Sequence, residues 1–207
     1  MKKHVMLALL ILFLGSSFVF AGAFGAGVSA GGSLSFVGTE AESEGSPRYG
    51  FTGGVYADYA FYSIENVVDF SVQPGVYFAM KGFNTDHPAF EETKVNLNYI
   101  EVPVLLKAGF PLGLPVDPYI LVGPTVGVRL SSDYEAEAAE GELNENIKLI
   151  DYGVTMGAGV DLDMGLSIDA RFNLGLVEIG DEAAAAFGGV VDWKNRSVSL
   201  MVSYNIL

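Results

Sequence analysis

Ser197-Val-Ser-Leu-Met-Val-Ser-Tyr-Asn-Ile206 separates into two interleaved sets of residues. Val198, Leu200, Val202, Tyr204 and Ile206 make one set; Ser197, Ser199, Met201, Ser203 and Asn205 make the other. A period of two puts such sets on opposite faces of a β-strand, whereas helical spacing would scatter both around a cylinder. The run before it repeats the pattern. Leu166, Ile168, Ala170, Phe172, Leu174 and Leu176 oppose Ser167, Asp169, Arg171, Asn173 and Gly175. Each strand therefore has an apolar face and a face of small polar residues, glycine and isolated charges.

Working back from these two, six more runs carry the same period: Phe24–Phe36, Tyr49–Tyr62, Val67–Lys81, Asn96–Phe110, Pro118–Ser131 and Ile147–Asp161. In the last of these, Ile150, Tyr152, Val154, Met156, Ala158 and Val160 oppose Asp151, Gly153, Thr155, Gly157, Gly159 and Asp161. The connections alternate in length. Val37–Arg48, Gly82–Val95, Ser132–Asn146 and Val177–Lys194 are long; Ser63–Asn66, Pro111–Asp117 and Leu162–Gly165 are short. Long outer loops and short inner turns are the plan of an antiparallel up-and-down transmembrane barrel. The expected fold is all-β, an eight-stranded barrel over residues 22–207 with both ends of the chain on the side of the short turns.

Half of the 207 residues are hydrophobic and 17% are charged, and mean hydropathy is +0.37. A spanning helix needs about 20 consecutive apolar residues. The best candidate, Val5–Phe20, is short and interrupted by Gly15, Ser16 and Ser17. With Lys2 and Lys3 before it and Ala21, Gly22 and Ala23 after it, this segment reads as a secretory signal, cleaved after Ala21 or Ala23. Residues 1–21 are the expected leader. There is no cysteine, so neither disulfides nor thiolate chemistry are available.

The formal charge is −14, and loss of Lys2 and Lys3 with the leader would make it −16. Such a surface disfavours nucleic acid as a partner. The acids gather in the long connections: Glu40, Glu42 and Glu44; Asp86, Glu91 and Glu92; Asp133, Glu135, Glu137, Glu140, Glu142 and Glu145; Glu178, Asp181, Glu182 and Asp192. None has the ordered spacing of a dedicated calcium loop. Apolar-face aromatics suit interfacial girdles. Phe24, Phe61, Phe70, Phe110 and Tyr204 would lie at the inner end, and Phe36, Phe51, Phe78 and Trp193 at the outer end; Phe172 falls mid-strand. A soluble β-sandwich would also alternate, but its polar faces would carry many Lys and Glu. The polar faces here are mostly Gly, Ser and Thr, which suit the narrow interior of an eight-stranded barrel.

One run carries a motif. In Asn98-Tyr-Ile-Glu-Val-Pro-Val-Leu-Leu-Lys-Ala-Gly109, Tyr99, Ile100, Glu101, Val102, Pro103, the aliphatic Val104–Leu106 and Lys107 follow the order seen in PorT-like outer-membrane β-barrels, which the sequence resembles. Tyr119-Ile-Leu-Val-Gly-Pro-Thr-Val-Gly127 is similar to the next strand of that family, and Asn195-Arg-Ser-Val-Ser-Leu to its last. The chain finishes on Ile206-Leu207, where barrel precursors often have an aromatic residue. The resemblance implies a small outer-membrane barrel and names no activity.

Parity sends Asp58, Asp69, Lys81, Glu101, Lys107, Arg129, Asp151, Asp161, Asp169 and Arg171 into the lumen. A lone desolvated charge costs several kcal/mol, so these should pair. The expected network has Glu101 and Asp169 meeting Arg129 and Arg171, with Lys107 in the same set. Pro103, also in the lumen set, should mark a bulge or ladder defect. No catalytic, cofactor or metal site is expected. The one histidine beyond the leader, His87, stands near Asp86, Glu91 and Glu92, with no Cys–His cluster, phosphate loop or nucleophile elbow in the chain.

The functional expectation is a structural or surface-interaction barrel with acidic loops and a lumen closed by charges. A small porin is the alternative, and a lipid-acting barrel enzyme dependent on His87 a more distant one. Expected partners are outer-membrane lipid and lipopolysaccharide, the barrel-assembly machinery during biogenesis, and an extracellular or periplasmic partner that the sequence does not name.

Overall fold

The computed structural model describes residues 24–38, 45–87, 90–136, 139–142, 148–178 and 194–207. The expected leader, residues 1–21, lies outside them, as do Trp193 and the acids Glu40, Glu42, Glu44, Glu137, Glu145, Asp181, Glu182 and Asp192. The strands are β1 (Phe24–Gly38), β2 (Gly45–Ile64), β3 (Val68–His87), β4 (Phe90–Gly109), β5 (Val116–Ala136), β6 (Ala139–Glu142), β7 (Ile150–Leu162), β8 (Leu166–Glu178) and β9 (Lys194–Asn205).

Eight of these close on themselves. The hydrogen-bonded order β4-β3-β2-β1-β9-β8-β7-β5 is completed by pairing of β4 with β5, and every pair is antiparallel. Closure leaves no barrel strand with an unpaired edge, which is the condition for a sheet to cross lipid. The β6 segment lies outside this ring and folds back on the end of β5, Asp133↔Glu142 to Ala136↔Ala139.

Alternation maps directly onto inside and outside. Val28, Val55, Ile120, Val122, Leu200 and Val202 face outward and are 44–62% exposed. The interleaved Ser29, Tyr56, Tyr119, Leu121, Met201 and Ser203 face inward and are buried. A continuous apolar exterior of this extent is untenable in water and is the surface a bilayer requires. Aromatics sit at the inner end of this belt, with Phe24, Phe61 and Tyr204 each at least 50% exposed. The Phe61 and Phe70 rings lie 6.4 Å apart. Tyr49 and Phe51 are exposed toward the outer end.

Long connections differ in part from their reading as loops, and β2 already begins at Gly45. Pairing of β3 with β4 continues up to His87↔Phe90, and β5 runs on to Ala136. Above the membrane both faces of a ribbon meet water, so its strands lose the hydrophobic period by which a strand is read. The seventh and eighth barrel strands keep nearly their expected limits.

The inward parity also shifts, in β2 on either side of its middle and in β5. Between Asn98↔Ser131 and Tyr99↔Arg129 the β4–β5 register slips, so Leu130 bulges outward at 58% exposure and Ser132 turns inward, fully buried. At Pro103 the ladder defect takes the form of a gap and not a bulge: the β3–β4 partners run to Pro74↔Val104 and resume at Tyr77↔Glu101 in unchanged register. Proline has no N–H to give, and Pro74 on the facing strand has none either.

Candidate functional site

The lumen collects nearly all the buried polar chemistry of the barrel. Around the ring, β3 stands opposite β8, and β4 opposite β9. Side chains bridge both diameters. Arg171 on β8 donates from Nη1 to the Tyr77 hydroxyl on β3 at 3.4 Å. Lys81 Nζ on β3 donates to Asn173 Oδ1 on β8 at 3.3 Å. Asn195 Nδ2 on β9 donates to the Tyr99 hydroxyl on β4 at 3.3 Å. A bond across a diameter leaves no room for an aqueous path at that level, as expected for eight strands.

The lumen charges form two tiers. In the tier toward the long loops, Lys81 Nζ lies 2.5 Å from Glu101 Oε1, with 3% and 12% of the two side chains exposed. Asp151 Oδ2 accepts from Asn195 Nδ2 at 2.8 Å. Arg129, buried, donates from Nη1 to the hydroxyl of Ser132. Thr125 and Thr155 share a hydroxyl hydrogen bond of 2.7 Å, and Asn173 Nδ2 donates to Thr155 at 2.9 Å.

In the tier toward the short turns, Arg171 grips Asp169 through two bonds, Nε to Oδ1 at 2.5 Å and Nη2 to Oδ2 at 3.1 Å. Tyr119 donates its hydroxyl to Asp169 Oδ2 at 2.9 Å. Lys107 Nζ pairs with Asp161 at 2.7 Å and lies 4.1 Å from the centre of the Tyr119 ring, within the range of a cation–π contact. Asp161 also accepts from the Ser167 hydroxyl at 2.6 Å. Asp58 accepts from Ser71 and from Gln73 Nε2, each at 3.2 Å. Asp69, at the β2–β3 turn, accepts from Ser63.

Of the five residues expected to form one network, the structure brings Asp169 and Arg171 into contact. Glu101 is held by Lys81 and not by an arginine, and Lys107 is joined to Asp161. The reason is height along the barrel. Parity assigns a residue to the lumen, but the stagger of the strands decides which residues share a level.

The sequence reading missed Tyr77, Tyr99, Tyr119, Asn173 and Asn195, which cap or bridge these charges. Their signal was present, since all five are odd-numbered residues on strands whose odd positions face inward. Ser132 had no such signal, because the bulge beside it inverts parity. His87 is the last residue of β3, paired across the ribbon with Phe90, and its side chain lies outside the described residues. Among the described residues, no group of three or more acidic or histidine side chains is placed to hold a metal ion.

A closed eight-stranded antiparallel barrel with an apolar exterior and a polar lumen bridged by side chains defines a small membrane-spanning barrel. The chain belongs to the family described as outer membrane protein beta-barrel domain, whose model matches residues 18–180, and its place is the outer membrane. The narrower likeness to PorT-like barrels rests on the sequence motifs in β4, β5 and β9 alone.

Among solved structures it is similar to Ail, the attachment invasion locus protein of Yersinia pestis, with 16% identity, 88% of this chain and 98% of that one covered and a TM-score of 0.43. Neisserial surface protein A shows 14% identity, 89% and 99% coverage and a TM-score of 0.48. The outer membrane enzyme PagL shows 11%, 88% and 99%, and 0.48. No curated protein matches the chain.

Proposed function

We propose that this protein serves as a structural and surface-interaction barrel, holding acidic loops at the outer face of the membrane, with a lumen that conducts no solute. The observation that carries this reading is the bridging of both lumen diameters by Arg171–Tyr77, Lys81–Asn173 and Asn195–Tyr99. With the lumen bridged at these levels, this reading places surface interaction at the rims and the lipid belt. The long connections hold most of the excess acid behind the formal charge of −14. They favour cationic partners, or divalent ions shared with lipid phosphates, over anionic ones.

Planar-bilayer recording tests the reading. The folded protein should add no discrete conductance above the bare membrane. Stable unit steps that change size in Arg171→Ala would overturn it and establish the small-channel alternative. The lipid-enzyme alternative requires His87, so release of fatty acid from outer-membrane lipid, abolished by His87→Ala, would establish that one instead.

A further inference from the structure

The short-turn end of the lumen is not filled. A cavity of about 260 Å³ opens there, with Asp58, Gln73, Tyr56, Ser203 and Asn205 among its walls, Phe24 and Leu207 beside them, and the cations Lys107 and Arg171 also lining it. Its volume exceeds what a single water needs. The charges of this tier do not balance. Lys107 is neutralised by Asp161 and Arg171 by Asp169. Asp58 is left with two neutral donors, Ser71 and Gln73, both on β3 and both bonded to the same oxygen, Oδ2. Among the described residues no cationic side chain lies within ion-pair distance of it.

Lys107, which lines the same cavity, is engaged elsewhere. Its backbone faces Ser71, yet its ammonium leans to the opposite side, onto the Tyr119 ring and Asp161. An excess carboxylate in a narrow, partly desolvated barrel calls for a counter-cation.

We propose that this cavity is a binding site for a small organic cation, a primary amine with a short alkyl body, entering from the periplasmic side. The ammonium sits on Asp58 Oδ1, the oxygen that Ser71 and Gln73 leave open, with the Ser203 hydroxyl and Asn205 amide oxygen as further acceptors. The alkyl part lies against Phe24 and Leu207. An anion is disfavoured because both cations of the tier are already paired. A divalent metal is disfavoured because Asp58 is the one acidic side chain among the described residues lining the cavity.

The test uses the refolded barrel in detergent micelles, titrated with n-butylammonium chloride and followed by calorimetry and by amide chemical shifts. The expected result is saturable binding with shifts at Ser71, Gln73 and Asn205, no binding of sodium butyrate, and affinity at least about tenfold weaker in Asp58→Asn, as loss of a charge-assisted bond implies. The shift map of the unsubstituted protein stands by itself should that variant not fold. Absence of saturable binding overturns the proposal. So do unchanged affinity in folded Asp58→Asn, shifts confined to the acidic loops, and equal displacement by potassium chloride, which would make the site one for any monovalent cation.

Discussion

Arg171 shows what holds the interior together at the scale of single residues. It is 8% exposed, and Asp169, whose side chain is fully buried, gives it both carboxylate oxygens. Replacing one partner of a buried pair strands the other charge, a loss of about 3–5 kcal/mol. Asp169→Asn should therefore lower stability by about that amount in urea unfolding from phospholipid vesicles. Replacing both, as Asp169→Leu with Arg171→Met, should recover much of it, because the desolvation cost of two ions goes as well. The remainder reflects the Tyr119 hydroxyl, which loses its acceptor at about 1–3 kcal/mol. Equal losses in the single and double variants would show that the pair matters through shape and not charge. The sequence made the inward direction of both residues legible, since Asp169 and Arg171 share the parity of Ser167 and Asn173. It did not make legible that Glu101 would meet Lys81, because that contact depends on how far a long lysine stem reaches along a staggered wall.

At the scale of strands, glycine sets how closely neighbours approach. A Cβ on Gly123 of β5 would stand 2.0 Å from the Val104 carbonyl oxygen and 2.9 Å from the Leu105 Cα, both backbone atoms of β4. Neither can swing aside as a side chain would. Gly32 of β1, on the lipid side, would place nothing within 4 Å of a new Cβ. Gly123→Ala should thus cost about 1–3 kcal/mol by forcing β4 and β5 apart, while Gly32→Ala should stay within about 0.5 kcal/mol of the parent. Urea midpoints of the two variants separate these outcomes, and similar midpoints would mean that the wall yields more easily than close packing implies. Strand existence was readable from period two in all eight barrel strands. Strand length was not, since Phe83–Thr85 and Thr93–Val95 pair beyond the limits that the alternating runs suggested. Nor was the bulge beside Leu130, which depends on the relative register of β4 and β5.

For the molecule as a whole, closure and the belt make two predictions. A closed barrel whose interior is cross-bonded resists detergent, so the unboiled protein should migrate differently from the boiled one on a denaturing gel. The exported form should also be about 2 kDa lighter than the precursor if the leader is removed. No shift, with recovery from the soluble periplasm, would contradict the membrane assignment. The second prediction concerns depth. Val122 faces outward on β5 at 49% exposure, flanked by Leu106 on β4 and Met156 on β7, each 43% exposed. Tyr49, 83% exposed, stands toward the long-loop rim. In water the two sites would tolerate lysine equally well, each within about 0.5 kcal/mol. In a bilayer they differ, because an ammonium at the midplane costs about 2–4 kcal/mol and near the interface about 0–1. Val122→Lys should therefore destabilise the vesicle-folded barrel by several times as much as Tyr49→Lys, and thinner-chain lipids should narrow the difference as the introduced ammonium comes nearer the headgroups. Equal costs in all lipids would remove Val122 from the hydrocarbon and, with it, the reading of this exterior as a membrane belt.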